Sequence, residues 1–404
     1  MKKLLLETIL IFFLLCSCNQ VNIKKPINTE SALSNSTDSS QTDGCIAPLT
    51  NFAYPVGGDV IDLPAPADQV IMLPPSSWKL VSTLPIDTIT EYGNNFGSGT
   101  IRKNGDHEEF WVIPEGYLGI DILNLETKVW RHIEEKNDFV KNSFLFLDQD
   151  NSIWAAKGLS GNSPLLLHFN DQSSQFETIS DQDGLLNNSS QNNNIASLKI
   201  DPSGIFWMVV QNNDLANDPH AYILYSFNPR TLKAKKHNIS IDFDGDLAIG
   251  KNNTIYLLNA QKGIVTAYDS QKNAVITYEI GTKLDASEDF DLFYDSTDRL
   301  WVSDIGWFDF SKEYDYPHWY EIVRSSSFLM YIYSSAIWRW GNPSFTNQTS
   351  DGLLWFIFPN GTGWLDPSKG KWCIFTSYSS KVMEDNDHNL WIFVNHSLYE
   401  KMSK

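Results

Sequence analysis

The chain has 404 residues, 42% of them hydrophobic and 13% aromatic, and its 30 Lys and Arg against 49 Asp and Glu give a formal charge of −19. So much aromatic surface cannot stay solvated, which excludes a disordered chain and leaves room for one large core or two smaller ones. So acidic a surface repels nucleic acid and favours partners that are neutral, cationic or metal-bearing.

At the N-terminus, Lys2 and Lys3 precede a mostly apolar run from Leu4 to Leu15, broken by Glu7. Such a run is too short to span a bilayer and suits the apolar region of a secretory signal. It ends in Leu15-Cys16-Ser17-Cys18. With an aliphatic residue three before the cleavage point and a small residue just before a cysteine, this segment resembles the bacterial lipoprotein signal. The resemblance implies removal of residues 1–17 and lipidation of Cys18, palmitate among the acyl chains. It places the protein on the membrane of the bacterial cell envelope, facing outside the cytoplasm. Two or more acyl chains anchor stably where one does not. The rival is an ordinary cleaved signal with an incidental cysteine.

From Asn28 to Gly44, 14 of 17 residues are Ser, Thr, Asn, Asp, Gln or Gly, so residues 18–44 read as a flexible tether. Pro48, Pro55, Pro64, Pro66, Pro74 and Pro75 make residues 45–75 an extended lead-in. Residues 76–404 contain no further linker and read as one domain.

That domain is built on a repeat. A turn rich in Asp, Asn and Gly leads into an apolar residue and then Trp or Tyr. The anchors are Trp111, Trp154, Trp207, Tyr256, Trp301, Trp355 and Trp391, at intervals of 36 to 54 residues. Before most of them a short apolar strand ends in Asp, as at Asp148, Asp201 and Asp295. After most comes an alternating strand, as in Leu165–Phe169, Ile223–Phe227 and Ile264–Tyr268, and then a fourth, as in Val129–Ile133, Ala274–Tyr278 and Trp372–Phe375. Four short strands per repeat with turn chemistry between them predict a propeller blade. A lone blade exposes two apolar faces and buries them only against neighbours, so the blades must close into a ring. The prediction is an all-β, seven-bladed β-propeller of four-stranded blades, with no helical periodicity after the signal.

The closure is legible too. Beyond Trp391 only 13 residues remain, too few for two more strands and their turns, so the seventh blade lacks its outer strand. Ahead of the first blade lies an unassigned strand, Ser77–Ser82, of that type. Pairing the two satisfies both edges and locks the ring. An open solenoid, or a six-bladed ring with a stray hairpin, are the rivals. The strand–Asp–turn–Trp pattern resembles the propeller repeats of two-component regulator sensor domains and, more loosely, streptogramin-lyase-type propellers. The resemblance covers residues 76–404 and speaks to blade packing more than to function. No kinase, phosphoacceptor or DNA-binding segment follows the repeats, so the chain is not expected to be a signalling receptor by itself.

Candidate chemistry is sparse. The eight histidines, His107, His132, His168, His220, His237, His318, His388 and His396, show no close metal-ligand spacing. The resemblance to the lyases implies histidines and a carboxylate projecting from inner strands. Here His168 falls on a third strand, and His107 and His388 on turns. There is no nucleophile elbow and no phosphate-binding loop. Asp242-Phe-Asp-Gly-Asp246 has Asn253 where a calcium loop would carry Glu, so it is no EF-hand. Aligned on the anchors, however, Asp244 and Asp246 match Asp289 and Asp291, at the start of the innermost strand in adjacent blades. These four should converge at the tunnel mouth, repel one another, and suit a divalent cation, calcium or magnesium. Solvated loop acids splayed apart, and a docking site for a basic partner, are the other readings.

Between the fifth and sixth blades, Arg324–Trp340 packs five aromatics and two arginines into 17 residues. Part of it should be the first strand of blade six. The remainder, with Arg324, Tyr331, Tyr333, Trp338, Arg339 and Trp340, is a candidate platform for a glycan or a protein partner. Cys45 and Cys373 would bridge outside the cytoplasm if they meet; two free thiols is the alternative. The expected protein is a monomeric, lipid-anchored binding module without catalysis. The alternative is a metal-dependent lyase or hydrolase at the tunnel mouth.

Overall fold

The anchor aromatics, six tryptophans and Tyr256, sit on the second strand of each repeat, where β-branched and aromatic residues are buried on both faces at once. The computed structural model describes residues 60–63, 78–84, 96–114, 119–134, 143–157, 166–179, 193–212, 222–280, 284, 290–303, 306–311, 317–324, 344–358, 361–366, 371–375, 379–394 and 397–401. All lie in the unit Thr42–Lys404.

Two strands precede the blades, β1 (Val60–Leu63) and β2 (Lys79–Thr83). Blade one is β3 (Phe96–Asn104), β4 (His107–Pro114), β5 (Ile120–Asn124) and β6 (Trp130–Ile133). Blade two is β7 (Ser143–Leu147), β8 (Ile153–Lys157), β9 (Leu166–Asn170) and β10 (Gln175–Thr178). Blade three is β11 (Asn193–Ile200), β12 (Phe206–Asn212), β13 (Tyr222–Asn228) and β14 (Lys233–His237). Blade four is β15 (Leu247–Ile249), β16 (Thr254–Asn259), β17 (Ile264–Asp269) and β18 (Ala274–Glu279). Blade five is β19 (Leu292–Tyr294), β20 (Arg299–Val302), β21 (Gly306–Asp309) and β22 (His318–Arg324). Blade six is β23 (Ser344–Gln348), β24 (Leu354–Phe358), β25 (Gly361–Asp366) and β26 (Lys371–Phe375). Blade seven is β27 (Ser379–Glu384), β28 (Leu390–Val394) and β29 (Ser397–Lys401), completed by β2. The protein is a seven-bladed β-propeller, as the repeat predicts.

Closure follows the predicted route. β2 pairs antiparallel with β29, Lys79 opposite Glu400 and Thr83 opposite Ser397. Trp78 is buried beside Trp355 of blade six, ring centroids 6.4 Å apart, in a cluster with Val382 and Ile392 of blade seven. Two features differ from expectation. β1, inside the lead-in, adds a parallel fifth strand to the outer edge of blade five, Val60 opposite Glu321 and Leu63 opposite Arg324. The first strand of blade six is Ser344–Gln348, which follows the aromatic link rather than forming part of it.

The second strands of blades one to four and seven each feed two cores. On β12, Phe206, Met208 and Val210 pack with Trp154, Ala156 and Leu166 of blade two. The alternate residues Trp207 and Val209 pack with Leu247, Ile255 and Leu257 of blade four. The period of two thus sends successive side chains into successive interfaces.

The Asp before the anchor turn in blades two, three, five and seven has a definite task. One oxygen of Asp201 accepts the backbone N–H of Ser203 and Ile205, and the other accepts the Trp207 indole N–H at 3.0 Å. The same arrangement recurs at Asp148 with Trp154, Asp295 with Trp301 and Asp385 with Trp391. In blade six Thr349 hydroxyl takes over the indole of Trp355, and in blade one Glu109 accepts from Trp111. Three residues after each of these turn residues in blades two, three, five, six and seven, the chain enters the left-handed region at Asn151, Gly204, Asp298, Gly352 and His388. His107 is the first residue of β4, one step past the turn assigned to it from the sequence.

Candidate functional site

Antiparallel order gives every blade two ends. The first-to-second and third-to-fourth strand turns share one end. The blade-to-blade links and second-to-third strand turns share the other, which is the mouth bearing the predicted acidic sector.

The link from β14 to β15 carries Asp242, Asp244 and Asp246. Its path is held by backbone bonds, Asp244 N–H to Leu258 C=O at 3.1 Å and Ala260 N–H to Asp244 C=O at 3.0 Å. Gly245, with φ of 154°, lets this happen: a Cβ there would meet Leu258 at 2.9 Å.

Asp246 joins three blades. One oxygen accepts the Ser197 hydroxyl of blade three; the other accepts the Leu292 N–H of blade five at 3.3 Å and the Lys199 ammonium of blade three at 2.9 Å. Ser197 in turn accepts the Leu247 N–H at 3.3 Å, as Ser98 of blade one accepts the Leu145 N–H of blade two at 2.8 Å. Asp246 is therefore an acidic version of an inter-blade cap. Enclosure disfavours the Lys199 charge, but Asp246, with Asp291 behind it, outweighs this and raises the Lys199 pKa. Asp242 is also matched, by the Lys262 ammonium and by Asn259 Nδ2 at 2.7 Å.

Asp244, between them, differs. Its Oδ2 is buried and has no hydrogen-bond partner among the described residues, and the same holds for Asn194 Oδ1. Asn194 lies opposite Gln211 in the β11–β12 register, and Gln211 opposite Tyr222 in β12–β13. Gln211 Nε2 donates to the Tyr222 hydroxyl at 3.1 Å. The Tyr222 ring is 5.4 Å from that of Phe243, the neighbour of Asp244. Burial, and then the charge of Asp244, raise the Tyr222 pKa. One row of polar side chains on blade three thus faces Asp244 across the seam.

Asp291 flanks β19, its backbone N–H donating to Ser303 Oγ at 2.9 Å and its C=O accepting the Ser303 N–H at 2.8 Å. Asp289 lies outside the described residues; Asp246 and Asp291 both act on Lys199, and the predicted convergence of all four carboxylates stays an expectation. Among the described residues no group of three or more His, Cys, Asp or Glu side chains could hold a metal ion. Tyr331, Tyr333, Trp338, Arg339 and Trp340 lie outside the described residues, as do Cys18 and Cys45. Arg324 ends β22 and Cys373 lies on β26, the outer strand expected for it.

His237, His168, His132 and His388 serve packing and turns. His237 is buried between Ser226 Oγ at 2.9 Å and Tyr268 hydroxyl at 3.1 Å. His168 lies against the Trp154 ring at 4.6 Å. His132 meets the buried Asp121 at 2.9 Å, and His388 meets Glu384 at 3.1 Å. The site residues missed from sequence are Ser197, Lys199, Asn194, Gln211, Tyr222 and Lys262. The only signal was polar residues at both ends of the Asn193–Asn212 hairpin.

No family model and no curated protein matches the chain. Among solved structures it is similar to virginiamycin B lyase from Staphylococcus aureus, with a TM-score of 0.52, 12% identity, and 80% of this chain and 98% of that chain covered. It is also similar to a streptogramin B lyase, with a TM-score of 0.51, 11% identity, and 80% and 96% covered. A third is the extracellular domain of the hybrid two-component system BT3049 from B. thetaiotaomicron, with a TM-score of 0.51, 12% identity, and 81% of this chain but 41% of that chain covered. At such identities the likeness is one of fold.

Proposed function

We propose that the chain is an extracytoplasmic recognition module. It is held to a membrane of the bacterial cell envelope by lipid on Cys18, set off by the 18–44 tether, and binds a protein or glycan partner at the mouth without chemistry. One observation supports this most: the two ends of the blades use their carboxylates differently. At the turn end, Asp148, Asp201, Asp295 and Asp385 each have both oxygens spent on backbone and indole donors. At the mouth, Asp244 keeps a buried oxygen without a donor. Folding needs the first set; the second is capacity left for a partner. The extracellular domain of a two-component system among the fold neighbours agrees with this reading.

The second reading is a lyase or hydrolase at the mouth, favoured by the two lyases among the neighbours. Full-length protein in detergent, passed over immobilised envelope glycans and peptides, separates the two. Saturable retention of unchanged ligand, lost in Asp244→Asn, is expected. Turnover that needs added calcium or magnesium and stops in chelator would transfer the protein to the second reading.

A further inference from the structure

Of the three alternate acids in the β14–β15 link, Asp242 holds Lys262 and Asp246 holds Lys199. Asp244 holds no cation among the described residues, and its Oδ2 is buried. A buried carboxylate oxygen without a donor is destabilising until one arrives. We infer that the seam between blades three and four is a binding site for a primary ammonium group, which takes at Asp244 the place that lysines fill at Asp242 and Asp246. This deepens the recognition reading and rests on it.

Three features select an ammonium. First, the unspent atoms are acceptors: Asp244 Oδ2 from blade four and Asn194 Oδ1 from blade three. An ammonium has three donors and no acceptor. Second, the Tyr222 and Phe243 rings, 5.4 Å apart, flank this seam, and aromatic faces attract cations. Third, calcium asks for six to eight oxygen ligands, and no acidic or histidine cluster able to hold a metal is present among the described residues. A neutral hydroxyl would satisfy one lone pair and leave the Asp244 charge unmatched. Both Asp244 and Asn194 are partly exposed as residues, so the ligand enters from the mouth. The formal charge of −19 concentrates cations around the molecule. The occupant is a lysine side chain or free amino terminus of a peptide, or a small amine.

Full-length protein in detergent is titrated by calorimetry with cadaverine, with the isosteric neutral 1,5-pentanediol, and with calcium chloride. Cadaverine should bind saturably and the diol at least tenfold more weakly. Asp244→Asn should weaken cadaverine roughly tenfold to a hundredfold, the range of a charge-assisted hydrogen bond. Asn194→Leu should weaken it severalfold from the other blade. Thermal melts of both variants keep loss of fold apart from loss of ligand. Equal binding of amine and diol, competition by calcium, or unchanged cadaverine affinity in folded Asp244→Asn would each overturn the ammonium site. If cadaverine fails while the glycan or peptide panel is still retained at the mouth, the ammonium site falls and the recognition reading stands.

Discussion

His237 shows what a blade interior does to a titratable side chain. Burial, helped by Lys235, lowers its pKa from an ordinary 6.5 to about 4, so the folded protein keeps it neutral. The unfolded chain binds the extra proton between those two values. Stability from this residue is therefore complete above about pH 6.5 and drains away as pH falls towards 4, by about 3 kcal/mol in total. Asp121 and Glu108 act with the opposite sign, since burial raises both, and their contribution grows on acidification through the carboxylate range. Denaturant melts from pH 7 to 4 should show wild type losing stability on acidification. The same melts of His237→Gln should give a markedly flatter profile; parallel curves would mean that the imidazole is not the group being titrated.

At the scale of elements, the repeating unit is a strand end, a turn and an indole. Asp201 carries it by accepting two turn N–H groups and the Trp207 indole. Asp201→Ala would leave that buried indole N–H without an acceptor and should destabilise by about 3 kcal/mol, read as a lowered denaturant midpoint, with Asp201→Asn intermediate. Elements of this kind were legible because both partners stand six residues apart in one hairpin: Asp148 with Trp154, Asp295 with Trp301, Asp385 with Trp391. Contacts between blades were not. Lys199 and Asp246 lie in different repeats, and nothing local to either says that they meet. Likewise Val60–Leu63 is a short segment among prolines whose pairing with β22 is decided by the free edge of blade five. Aromatic density drew the first strand of blade six too early, because aromatics mark any buried β surface and β23, Ser-Phe-Thr-Asn-Gln, has just one.

For the whole molecule, β2 is the fastening. Trp78→Ala removes a buried ring from the seam between blades six and seven and should lower stability by about 3–5 kcal/mol. An unchanged melting temperature would show that the ring holds without it. The anchor is tested separately: Cys18→Ser should release the protein from membranes or stall its processing, and normal acylation and partitioning of that variant would refute the lipoprotein address. Neither test touches the mouth, so address, closure and recognition can fail independently.

The fastening also sets the order of events in biogenesis. Thr83 and Ser397 share a hydrogen bond at 3.0 Å although 314 residues separate them. Synthesis delivers β2 long before its partner exists, so blades can form one after another while the ring stays open. The closing loop is long and its entropic toll is largely fixed by that length. Until β29 arrives, the newborn chain presents an unpaired strand beside Trp78, the kind of surface that chaperones guard against. A chain tethered early by its amino end would keep that strand near the membrane, with its carboxyl end free to swing round and close the circle.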